Sequence, residues 1–127
     1  MALRRRIDKL EVIKKAKELA DEIIKTQEYI ILKSAQEAVD NDEDGAGIIQ
    51  DMELLQQEYI KSVKEGATEE DLKMLENILK SKHEEIMKYE LTAHMIKSKA
   101  AFDRLISMIN KEITSGITGY STDDRSE

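Results

Sequence analysis

An all-α fold is what the sequence predicts, and three observations predict it. None of the 127 residues is Pro, and the five Gly stand at 45, 47, 66, 116 and 119, where they punctuate the chain. The stretches between them are rich in strong helix formers such as Ala, Leu, Glu, Lys, Met and Gln. Apolar positions recur in steps of three and four, with almost no strand-like alternation. The expected architecture is an elongated antiparallel bundle of four to five helices that self-associates. One helical domain over residues 1–117 and a disordered polar tail over 118–127 complete the organisation.

The first helix starts at Asp8, whose carboxylate can accept from a free backbone N–H while Glu11, three residues on, reaches back. Ile7 and Val12 stand at the flanking staple positions. An apolar stripe then runs Val12/Ile13, Ala16, Leu19/Ala20 and Ile23/Ile24. Thr26 can cap a second helix carrying Ile31/Leu32, Ala35 and Ala38/Val39. With no Gly or Pro at 25–28, one unbroken helix from 8 to about 40 reads almost as well. The acidic stretch from Asp40 to Gly45 is a turn leading into a third helix, where carboxylates suit the positive end of the helix dipole. Its stripe is Ile48/Ile49, Met52, Leu55, Tyr59 and Val63.

Gly66 fits the left-handed position after that helix, and Thr68 with Asp71 opens the next. So short a link predicts an antiparallel hairpin. The fourth stripe is Leu72, Leu75, Ile78/Leu79 and Ile86. From Glu69 to about Ser115 no breaker occurs, and a division at Tyr89-Glu90-Leu91-Thr92 is expected, with Thr92 as cap and Leu91 and Ile96 as staple. Met95, Phe102, Leu105/Ile106, Ile109, Ile113 and Ile117 form the last stripe. Met52, Met74, Met87, Met95 and Met108 lie on or beside these stripes and read as core fillers.

Helices of roughly 15–23 residues are about 22–35 Å long, so the bundle is thin and buries little at its flanks. Pairing with another copy completes such a core, giving a homodimer or a larger homo-oligomer. The candidate interface residues are Ile49, Met52, Leu55 and Tyr59 on the third helix and Met95, Phe102, Leu105 and Ile109 on the last.

Charge and composition narrow the function. The net charge of −7 is concentrated in residues 41–71, which hold 10 acidic and 2 basic side chains. That balance argues against a primary nucleic-acid binder, the one compact basic cluster being Arg4-Arg5-Arg6. Direct RNA contact would run through that cluster and Lys9, Lys14, Lys15 and Lys17. With no Cys there is no disulfide framework, thiolate zinc site or cysteine-held cluster. The longest apolar run, Tyr29–Leu32, is far short of the roughly 20 residues that span a bilayer. The opening MALRRRIDKL is too charged for a signal peptide, so a cytoplasmic protein is expected.

Chemistry-bearing motifs are missing. His83 and His94 form neither H-E-x-x-H nor the E-x-x-H of di-iron bundles, since Lys80 and Leu91 stand three residues before them. Counting Asp40 as the first position of a calcium loop puts Asp51 where a bidentate Glu is needed, and helix capping explains the same acids. No phosphate-cradling glycine loop or nucleophile elbow occurs. The expectation is therefore a protein that is not an enzyme, with no catalytic, cofactor or metal residues.

Taken together, A-K-E-L-A-D-E-I-I at Ala16–Ile24, T-Q-E-Y at Thr26–Tyr29, the Asn41-Asp42 turn before Ile48-Ile49, Q-Q-E-Y at Gln56–Tyr59, Gly66 and the closing Phe102/Leu105/Ile106/Ile109/Ile113 resemble the YlbF/YmcA-like family of small bacterial helical proteins. The likeness covers roughly residues 10–117. It implies an oligomeric, non-enzymatic helical protein that acts in regulation through protein–protein contacts, as relatives do in competence, sporulation and biofilm formation. It also implies an alternative, an accessory role in messenger-RNA processing by endoribonuclease Y within a complex. Some relatives carry C-terminal cysteines associated with iron–sulfur clusters. This chain has none, so that property does not carry over.

Overall fold

The structure, a computed structural model, describes Arg6 and residues 8–126, with side chains described as far as Gly119. Five helices follow one another: α1 (Lys9–Ile23), α2 (Gln27–Asp40), α3 (Glu43–Lys64), α4 (Glu69–Lys88) and α5 (Glu90–Ser126). There is no strand among the described residues.

Residues 8–40 form two helices. Thr26 decides this: its hydroxyl donates to the Ile23 carbonyl at 2.7 Å and accepts from the Tyr29 N–H at 3.3 Å, closing α1 and opening α2 with one side chain. Asp8 caps α1 by accepting from the Leu10 N–H at 3.1 Å. Ile7, its expected staple partner, lies outside the described residues, as do Arg4 and Arg5. Gly66 takes φ +74°, the left-handed conformation foreseen for it, and Thr68 accepts from the Asp71 N–H at 3.2 Å to open α4.

The division near 89 is real, but its mechanism differs from the expected one. Tyr89 leaves the helical region (φ −89°, ψ 121°), and Thr92 sits one turn inside α5 instead of capping it. Its fully buried hydroxyl points back across the break to the Ile86 carbonyl at 2.6 Å and the Tyr89 carbonyl at 3.0 Å. It supplies the donor that a continuous helix would have provided from its backbone.

From there α5 runs unbroken for 37 residues, well beyond the 15–23 expected, through Gly116 and Gly119 and into the stretch read as a tail. At 1.5 Å per residue it is about 55 Å long, longer than the roughly 36 Å diameter of a compact globule of this size.

Two pairings hold the bundle together. α2 lies along the first half of α5, and α3 and α4 form the predicted antiparallel hairpin. The core is small: Leu32, Ala35 and Val39 from α2, Ile86 from α4, and Thr92, Ala93 and Ser98 at the start of α5. It sits where the end of α2 meets the junction of α4 and α5. Ala35 and Ser98 keep the α2–α5 crossing tight, and Ser98 satisfies its buried hydroxyl on the His94 carbonyl at 2.8 Å. By contrast α1 has no buried residue, and no helix packs extensively against it.

Candidate interaction surfaces

The junction that orients the two halves is built around Asp42. Its carboxylate caps α3 by accepting from the Gly45 N–H at 2.9 Å and also accepts from the Tyr89 hydroxyl, 47 residues away. One side chain thereby ties the α2–α3 turn to the α4–α5 break. Gly45 suits this close approach: a Cβ there would stand 3.1 Å from Asp42 Oδ2 and 3.3 Å from the Tyr89 ring, so those side chains would have to give way by a few tenths of an ångström. The Tyr89 hydrogen bond, with help from the Gly45 N–H, holds the Asp42 carboxyl below its ordinary value. The same bond, with the Asp42 charge and partial burial, pushes the Tyr89 hydroxyl up to about 12.

A second tie aligns the hairpin. Lys82 lies 2.9 Å from Glu85 and 3.6 Å from Asp51, bridging α4 to α3, and these carboxylates raise its pKa. Nearer the tip, the Tyr59 hydroxyl donates to Glu76 at 2.9 Å, which raises the Tyr59 pKa.

The eight residues expected at an oligomer interface are all half-buried within one copy. Met52, Leu55 and Tyr59 lie on the stripe that α3 shares with α4. Phe102 packs on Tyr29 of α2, ring centroids 5.8 Å apart and tilted by 59°. Leu105 and Ile109 continue that stripe, while Ile49 and Met95 line an open groove of about 400 Å³ between α2, α3 and α5 with Gln36, Val39 and Lys99. Each of these side chains is thus part-covered by its own chain and part-accessible in one copy.

Other large apolar side chains are far more exposed, and two groups of them stand out. One is a flank of the hairpin, where Leu54 is 57% exposed, Met74 60% and Ile78 46%. Measured from the packed stripes, the three share a helical phase, so they look out from the same side. The other comprises α1 and the far half of α5, whose stripes carry Val12, Ile13 and Leu19 and then Ile113 and Ile117, all exposed. The reading of the methionines as core fillers is corrected here: Met74, Met87 and Met108 are exposed, and only Met52 and Met95 are half-buried. Periodicity marks them as stripe neighbours but does not tell a stripe edge from its centre.

Among the described residues no three His, Cys, Asp or Glu side chains gather in a way that could hold a metal ion, and His83 and His94 are both exposed. Arg6, Lys9, Lys14, Lys15 and Lys17 are exposed as well. No helix of the described chain is long and apolar enough to cross a membrane.

Against this architecture, the sequence model of the family described as control of competence regulator ComK, YlbF/YmcA, matches residues 12–118. The chain belongs to the YlbF/YmcA family. Among solved structures, the X-ray structure of Bacillus subtilis RicA, crystallised in complex with RicF, is similar to this member of the family. The TM-score is 0.65 at 13% identity, covering 89% of this chain and 98% of the RicA chain. At that identity the likeness speaks for the fold, and RicA shares the all-helical architecture. No curated protein sequence matches the chain. Family membership thus agrees with the resemblance carried by Ala16–Ile24, the two E-Y helices and the closing stripe, and it places the protein among regulators.

Proposed function

We propose that the protein is a non-enzymatic, cytoplasmic adaptor that self-associates and acts in regulation by binding other proteins through helix faces a single copy leaves uncovered. One observation carries this reading. The chain exposes 10549 Å² of surface on a mass of 14.6 kDa. A compact monomer of that mass exposes about 6,900 Å². The excess is several times the roughly 800 Å² that a standard interface buries on each partner. It includes two separate apolar surfaces, as a protein joining partners requires. The family's link to ComK control and the occurrence of RicA in a complex with another protein support the same reading.

The test is affinity capture of the full chain from its source cells, with and without nuclease, alongside the variant Ile78→Glu on the hairpin flank. A defined protein partner should survive nuclease and high salt and fall at least about tenfold with the variant. The alternative, an accessory factor of endoribonuclease Y touching RNA through the Arg4-Arg5-Arg6 cluster and Lys9, Lys14, Lys15 and Lys17, predicts co-purifying RNA that is lost steeply as salt rises. Recovery of RNA alone, or of partners indifferent to Ile78→Glu, contradicts the adaptor reading on this face.

A further inference from the structure

Self-association in the proposed function leaves open which surface meets which, and on that reading the structure assigns one. We propose that α1 and the far half of α5 are two arms that a second copy of this chain covers, α1 of each copy lying along the α5 end of the other.

The geometry of α2 and α5 leads there. They run antiparallel, with Val39 and Met95 lining one groove and Tyr29 on Phe102, so the start of α2 points toward the far half of α5. Had residues 24–26 stayed helical, α1 would have continued along α5 past that point. The Thr26 cap sends it elsewhere, and α1 remains without a buried residue. Beyond Ile109, α5 continues over residues 110–126, about 25 Å, with the described side chains of 110–119 all exposed, and α1 is about 22 Å. A mate's α1 can take the place this chain's own α1 gives up, the exchange that generates symmetric dimers.

Area, charge and one glycine agree with that occupant. Val12, Ile13, Leu19, Ile24, Ile113 and Ile117 are 39–67% exposed. With Ala16 and Ala20 they offer on the order of 500 Å² of apolar surface per copy, close to the roughly two thirds of 800 Å² that a homodimer interface contains.

Two copies at −7 each repel one another, mainly through residues 41–71. The arms are the neutral part: α1 has four Lys against four acids, Glu11, Glu18, Asp21 and Glu22, and residues 110–119 hold one charge of each sign. That neutrality permits a second copy and offers little to an anionic membrane or to RNA. Finally, Gly116 lies on the apolar stripe of α5, and a Cβ there would meet nothing within 4 Å in a single chain. Its lack of a side chain serves no contact within one copy, whereas it allows another helix to approach closely.

Sedimentation equilibrium of the full chain from about 1 to 100 μM tests the assignment, with circular dichroism reporting helix content. The wild type should dimerise in the low micromolar range. Ile13→Glu and Ile117→Glu, at positions 51% and 67% exposed in one copy, should each weaken the dimer at least about 30-fold, since symmetry places two buried charges in the interface. Gly116→Ala should weaken it too while raising helix content. Leu54→Glu, equally exposed but on the hairpin, should leave it within about twofold. A wild type that stays monomeric throughout overturns self-association itself. A dimer indifferent to the arm variants leaves self-association standing and overturns this interface.

Discussion

Asp42, Tyr89 and Thr92 carry more of the architecture than their polarity suggests. Each links segments that the helices alone would leave unconnected. Because the folded chain holds Asp42 below its ordinary 3.8, its stabilising contribution is complete above that value and fades as pH falls through the lower folded value. Tyr89 works in the other direction: raised from 10.0 to about 12, its contribution is complete below 10.0 and disappears as pH climbs through about 12.

The bond therefore operates across the whole neutral range. Tyr89→Phe should lower the thermal midpoint there, and the difference from wild type should shrink below pH 3.8, as paired melting curves across pH would record. Thr92→Val leaves the Ile86 carbonyl without its 2.6 Å partner in a fully buried position and should cost about 1–3 kcal/mol by denaturant titration. Asp42 was legible from sequence only as one acid in a helix-opening turn. Its bond to a residue 47 positions away has no local signature, and neither does the backward reach of Thr92 across the break.

Helix ends were the most readable feature of the elements, because capping chemistry is local. Asp8, Thr26, Gly66 and Thr68 stand where their side chains or backbone freedom suggested. Gly66→Ala should accordingly cost roughly 1 kcal/mol, the penalty of a Cβ at φ +74°, and Thr68→Ala about 1 kcal/mol through loss of the bond to Asp71. Urea unfolding of each variant measures both, and no change in either would contradict the capping account. The length of α5 was not legible in the same way. Gly116 and Gly119 look like stops, yet a glycine weakens a helix by only about 1 kcal/mol and ends one reliably only when the chain turns there. Which stripe faces inward was equally hidden: Phe102 and Val12 sit in similar periodic patterns, but Phe102 packs on Tyr29 while Val12 stays 59% exposed.

At the scale of the whole molecule, the surface area decides the interpretation. A chain that exposes 10549 Å² with so small a core leaves helix faces for the proposed partners to cover, and the membership of the YlbF/YmcA family fits a role in regulation through such contacts. The family was legible from diffuse helix landmarks, because those landmarks are the caps and stripes that set the fold. Hydrogen exchange of α1 amides as a function of protein concentration addresses the central claim most directly, since a helix with no tertiary partner exchanges at nearly the rate of an isolated one. The account predicts rapid exchange over Lys9–Ile23 in dilute protein and strong protection at high concentration, with the α2–α5 core unchanged. Protection of α1 that is already complete in dilute monomer, or absent at every concentration, would contradict it.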